Sequence, residues 1–163
     1  MSPVQARTLR SLVYLAAGIG LIVSLFAAAE FFNASLRAVC SVNAFLSCSA
    51  VDTSGRTSTL GIPDYLWGVG GFVLILIVAA LAEQRPEDRR RAFALLALTT
   101  LGVALSLYFL YVEVALIHAL CLVCVGAYVF GFIAWGGSVA LALRAPESTD
   151  ADAEAAPGPA EGA

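Results

Sequence analysis

Charge is what this chain has least of. It has no lysine, and charged residues fill 13% of its 163 positions, where a soluble domain is nearer a quarter. That scarcity argues against a soluble globular domain. The nine basic residues, all arginine, are outnumbered by twelve carboxylates for a net charge of −3, and they stand in short groups between apolar runs instead of along one face. No nucleic-acid partner is expected. Little sequence remains outside the apolar runs, so a second, soluble folded domain does not fit beside them. Paired charges in mid-membrane, which a transporter's substrate or proton path needs, are missing too.

What is present is apolar: 60% of the residues are hydrophobic, with mean hydropathy +0.88. Four runs reach the ~20 residues that a helix needs to cross the hydrocarbon: residues 11–32, 64–82, 92–114 and 118–143. The expected fold is an all-α membrane protein, a four-transmembrane-helix bundle over residues 11–145. A cytoplasmic N-terminus (1–10) precedes it, and an acidic, disordered cytoplasmic tail (146–163) follows. Arg7 and Arg10 precede the first run, Arg85, Arg89, Arg90 and Arg91 separate the second and third, and Arg144 follows the fourth. Only Arg37 and Arg56 lie in the loop between the first two runs, residues 33–63. The positive-inside rule therefore places both termini in the cytoplasm of a cell membrane and that loop outside. The first run, ending in Ala27-Ala28-Ala29, imitates a signal peptide, but it exceeds the usual apolar length of ~7 to 15 residues and is read as a retained helix. Asn33-Ala34-Ser35 has the form of a glycosylation sequon, and no weight is placed on it.

The four cysteines, Cys40, Cys48, Cys121 and Cys124, all fall on the outer side. Four thiols allow three pairings, and spacing does not choose among them. Cys121-Leu122-Val123-Cys124 has CxxC spacing, read as one face of the fourth helix near its N-terminus, where free amide groups favour a thiolate. A redox pair, a metal site and two small buried hydrophobes all remain open for it. His118 extends the row to His-x-x-Cys-x-x-Cys; an interfacial side chain is the preferred reading, and no metal is expected. The loop pair reads as a staple, or as a donor pair facing the helix pair, since thiolate attack passes electrons between disulfides. The acceptor would be lipid-soluble and two-electron, which a quinone satisfies.

These residues resemble the vitamin K epoxide reductase family, in particular its prokaryotic members. The likeness rests on four helices, Arg37-Ala38-Val39-Cys40, Ser47-Cys48-Ser49, the Gly61-Ile62-Pro63 step into the second helix, and Cys121-Leu122-Val123-Cys124 followed by Tyr128. The order of the pairs differs from the disulfide bond formation protein B family, which has its CxxC in the first external loop. The resemblance implies a membrane thiol:quinone oxidoreductase supporting disulfide bond formation. In it Cys124 meets the quinone (menaquinone, ubiquinone or a vitamin K-type naphthoquinone), Cys121 exchanges with Cys48, and Cys40 receives electrons from a thioredoxin-like partner. Some prokaryotic members carry that partner fused at the C-terminus; here a separate extracytoplasmic protein is expected.

The resemblance also implies that Tyr128 hydrogen-bonds a quinone carbonyl and that Ser54 is a family hydroxyl near the loop cysteines. Asp64 stands where the vertebrate enzymes have a donor asparagine; as an ionised carboxylate it has no donor, and it is favoured as a helix cap. Trp67 is a candidate for the pocket, with the interfacial aromatic belt preferred. Glu113 is a functional candidate by depth, expected to reach water from the helix end. Gly68, Gly70 and Gly71 are read as close helix packing. The alternative from a different class is a non-catalytic membrane protein with structural disulfides or a Cys/His metal site.

Overall fold

A computed structural model describes residues 3–84 and 89–144. The expected tail 146–163 and part of the charged turn, including Arg85, lie outside the described residues. Helix α1 spans Pro3–Phe32, α4 Asp64–Gln84, α5 Arg89–Tyr111 and α6 Leu122–Leu143. Between α1 and α4 come the short helices α2 (Ala34–Cys40) and α3 (Cys48–Thr53) and a two-stranded hairpin, β1 (Ser58–Thr59) and β2 (Ile62–Pro63). The four long helices are apolar and long enough to cross a membrane. They form a ring in which α1 packs on α4 and α6, and α5 closes it between those two. The protein is a multi-pass helical membrane bundle.

The outward faces are large and apolar, with Leu15, Ile22, Leu74 and Leu101 each at least half exposed, as lipid contact requires. The inner core runs through Val13, Ala17, Phe72, Ile75, Ala79 and Leu95. Without a hydrophobic drive between helices in lipid, close contact is made at small residues. At Gly137 of α6, a Cβ would come within 2.7 Å of Val13 on α1.

The loop 33–63 is folded. Asn33 caps α2, its side chain accepting Ser35 N–H at 3.0 Å, which gives the sequon-like triplet a structural use. Ser41 Oγ accepts Ser49 N–H at 3.2 Å and ties the end of α2 to the start of α3. In the hairpin, Thr59 pairs with Ile62 across Leu60 and Gly61, both at positive φ (57° and 78°). This is the two-residue turn that favours glycine and matches strand twist.

The fourth helix begins later than its apolar run suggests. Residues 112–117 form a π-helical turn after α5, and His118 ends it in the left-handed region at φ 58°. The link His118–Cys121 is therefore not helical, and the His-x-x-Cys-x-x-Cys row does not form on one face. His118 is exposed.

Candidate thiol and quinone site

The loop is held against the link by backbone pairing. Asn43 Oδ1 accepts the N–H groups of Phe45 (2.9 Å) and Leu46 (2.8 Å), fixing a turn. Beyond it, Leu46 and Leu120 form a parallel bridge, in which Leu120 N–H donates to Phe45 C=O (2.6 Å) and Ser47 N–H to Leu120 C=O (3.1 Å). Ser47 then caps α3 through Ala50 N–H at 3.1 Å. Cys48 stands two residues beyond Leu46, and Cys121 one beyond Leu120.

Cys40 and Cys48 are joined by a disulfide with Cα atoms 5.6 Å apart, while Cys121 and Cys124 are free thiols. The sulfurs of Cys40, Cys48 and Cys121 all lie within 4.8 Å of one another. All four cysteines are buried: Cys48 is fully covered, Cys121 is 1% exposed, and Cys40 and Cys124 are 9% exposed. With Val51 and Ala119 they form a second small core. Cys121 is the N-cap of α6, outside the helix, and its Sγ accepts Cys124 N–H at 3.2 Å. The CxxC pair thus straddles the helix start. A thiophilic metal would use these same sulfurs, but two of them are spent in the disulfide and His118 is not among the clustered groups.

Below Cys124 opens a cavity of about 380 Å³ within the bundle, lined by residues of α1, α4, α5 and α6. The volume falls in the range of about 300 to 1,000 Å³ usual for small-molecule sites. Its walls are mainly apolar. Cys124, Tyr128, Asp64 and Trp67 all line it, so one thiol, one phenol, one carboxylate and one indole share the space. Asp64 opens α4, its Oδ1 accepting Tyr65 N–H at 2.7 Å; the same carboxylate serves the helix start and faces the cavity. Trp67 lines the cavity, and its Nε1–H has no partner among the described residues. Ser54 is placed elsewhere. Its hydroxyl donates to Val51 C=O at 2.7 Å and accepts Arg56 N–H at 3.1 Å, closing the end of α3, and it is not among the cavity's lining residues.

Three expectations are corrected by the packing. Glu113 does not reach water: it is 1% exposed, because the π-helical turn directs it inward. Its Oε2 accepts Cys121 N–H at 2.9 Å and its Oε1 accepts the Tyr128 hydroxyl at 2.7 Å. Gly70 and Gly71 do not serve helix contact, since a Cβ at either would meet nothing within 4 Å, and both line the cavity. Gly68 alone of the three is in close contact, with Ser24 Oγ 2.7 Å from where its Cβ would stand. Ser24 itself was not singled out from sequence. It is 2% exposed, lines the cavity, and its hydroxyl has no partner among the described residues. A serine in an apolar run gives no sign of which way it points.

The class that fold and site define is a four-helix membrane protein with a disulfide beside two free thiols, at the edge of an apolar cavity. The chain belongs to the vitamin K epoxide reductase family, which it matches over residues 11–139. Among curated proteins none matches it. Membership implies a thiol and quinone oxidoreductase.

Proposed function

We propose that the protein oxidises the dithiol of an extracytoplasmic thioredoxin-like protein and delivers the electrons to a membrane quinone, through Cys40/Cys48 and then Cys121/Cys124. The observation that supports this most is the position of Cys121, whose sulfur lies within 4.8 Å of both loop sulfurs while Cys124, three residues on, lines the cavity. The arginine distribution supports an outward-facing loop. The covered position of Cys48 and the slight exposure of Cys40 support Cys40 as the sulfur that a partner attacks.

In this reading a partner thiolate attacks Cys40 Sγ and releases Cys48, and the partner's second thiol resolves the mixed disulfide. Cys48 thiolate then attacks Cys121 of an oxidised Cys121–Cys124 pair, freeing Cys124. Attack of Cys40 on Cys48 restores the loop disulfide and frees Cys121. The resulting state, a loop disulfide beside two thiols, is the one in the structure. A bound quinone supplies a two-electron, two-proton acceptor. The residues suit one: Cys124 and Tyr128 line the cavity together, and Ser24 and Trp67, whose side-chain polar atoms are buried without a partner among the described residues, line it as well. Asp64 contributes a wall and a helix start. Ser54 acts on the loop's shape at the end of α3.

The test is quinone reduction by purified, pre-reduced protein in detergent. The expected result is loss in Cys124→Ser with any dithiol, and loss in Cys48→Ser only with a protein dithiol. A wild type that leaves quinone untouched removes the reading and favours the metal-binding or structural alternative, for which metal content is the next measurement.

A further inference from the structure

Glu113 has no task in the thiol relay, yet it is nearly inaccessible and holds two groups of the site. Oε2 accepts Cys121 N–H at 2.9 Å and Oε1 accepts the Tyr128 hydroxyl at 2.7 Å. A phenol has one proton to donate. While Tyr128 donates to Glu113 it has none for a ligand in the cavity, and a quinone offers only acceptors at its two carbonyl oxygens. Phenol and carbonyl oxygen would then meet with no hydrogen between them. The conflict disappears when Glu113 carries a proton on Oε1. That proton is donated to Tyr128 Oη, Tyr128 donates to the ligand, and Oε2 still accepts Cys121 N–H.

The groups that face Glu113 do not oppose this. They are Asp64 from α4, Asp52 from α3, and Tyr128, Cys121 and Cys124 from α6 and the link, and none of these is a cation. His118, at the end of the same turn, and Tyr108 and Tyr111 of α5 are exposed.

Resting on the function proposed above, we infer that Glu113 is the proton-holding partner of Tyr128: neutral when quinone is bound, it turns the phenol toward the ligand and replaces the proton the phenol gives up. In the full step the S–H bonds of Cys121 and Cys124 break, one S–S bond forms between them, and two O–H bonds form on the quinone. Both electrons come from the two sulfurs. One proton reaches oxygen from Tyr128, whose phenol is refilled from Glu113 Oε1, and Glu113 is refilled by a thiol proton released beside it. The other thiol proton accounts for the second O–H. Glu113 acts through Tyr128 and is a positioning residue.

The test uses the whole chain in detergent with 2-methyl-1,4-naphthoquinone as probe. Affinity is read by tryptophan quenching on the oxidised protein, where no thiol of the CxxC pair titrates, and turnover is read with a small dithiol. In the wild type, affinity weakens as pH rises, because ionised Glu113 reclaims the phenol proton. In Glu113→Gln the amide donates to Tyr128 at every pH and its oxygen still accepts Cys121 N–H. Affinity then stays at the wild type's low-pH value throughout, while turnover falls roughly 100-fold for want of a transferable proton. Tyr128→Phe, with Glu113 in place, also loses the pH dependence of affinity, and it keeps the test decisive if the glutamine variant does not fold. Wild-type affinity that ignores pH, a Tyr128→Phe that keeps its slope, or a Glu113→Gln with wild-type turnover overturns the inference. A wild type that neither binds nor reduces quinone overturns the function itself.

Discussion

The two ends of this site are built on opposite terms. The cysteine end is small and closed: sulfurs and short side chains packed together, with the loop pinned to the link by a backbone bridge and the Asn43 turn. The cavity end is open and mainly apolar: a Cβ at Gly70 or Gly71 would meet nothing within 4 Å, and a hydroxyl and an indole beside it have no partner among the described residues. Disulfide exchange demands fixed sulfur positions, because attack must approach along the bond that breaks. A ligand that enters from the bilayer and leaves reduced demands room. Cys124 belongs to both regions, and Glu113 binds a group from each.

Cys124 joins the two ends, and its loss is expected to have the largest effect. Cys124→Ser leaves the loop disulfide and the backbone pairing in place, yet quinone reduction is expected to vanish with every donor, measured by quinone absorbance. Next comes Gly71→Leu, which places a side chain into open space. Quinone affinity is expected to fall about tenfold or more while thermal stability holds or rises, since glycine within a helix costs about 1 kcal/mol. A matching loss of stability would mean that Gly71 serves packing after all. Asn43→Ala strikes the other end: each of the two exposed hydrogen bonds that its side chain accepts contributes about 0.5 to 1.5 kcal/mol to the turn. Turnover with a protein dithiol is expected to slow several-fold, and turnover with a small dithiol that reduces Cys121–Cys124 directly to stay unchanged.

The same division separates what was legible in the sequence from what was not. Four spans are written as apolar runs long enough to cross a bilayer, and the cysteines announce themselves by spacing and by the residues around them. Local composition carries both. The late start of α6 does not, because it depends on Leu120 pairing with Leu46, a partner 74 positions away by residue number. Without that pairing the run from 118 reads as continuous helix. The burial of Glu113 is hidden for a related reason: distance from a helix end measures depth, while one π-helical turn decides direction. Gly70 and Gly71 read as contacts because small residues in membrane helices usually are, and only the neighbouring helices' positions show that nothing meets them. Ser54 satisfies its own helix end, a local bond that a motif position cannot reveal.

Ser24→Ala is expected to have a smaller effect at the cavity end. Its hydroxyl has no hydrogen-bond partner among the described residues, so removing it is expected to cost the fold little. A hydrogen bond made only to ligand contributes about 0.5 to 1.5 kcal/mol, which puts the loss of quinone affinity at roughly two- to twelve-fold. Unchanged affinity with reduced stability would assign Ser24 to the α1–α4 contact at Gly68 instead.

The smallest expected effect lies in the loop itself. Asp52 on α3 is half-buried, and burial raises its carboxyl above the ordinary value of 3.8, an effect that Arg37 opposes. An acid whose pKa is higher in the folded state binds more protons folded than unfolded, so folding of the loop is favoured by acid. The cost is absent below the ordinary carboxylate value, grows as pH rises from there to the raised one, and is constant above it. Asp52→Asn removes the charge and with it that slope. Amide exchange in α2 and α3 is expected to be slower in the variant than in the wild type at neutral pH, and equal in the two at the acid end of the window after correction for intrinsic exchange. Faster exchange at neutral pH would mean that attraction to Arg37 outweighs burial, making Asp52 part of what holds the loop against the thiols.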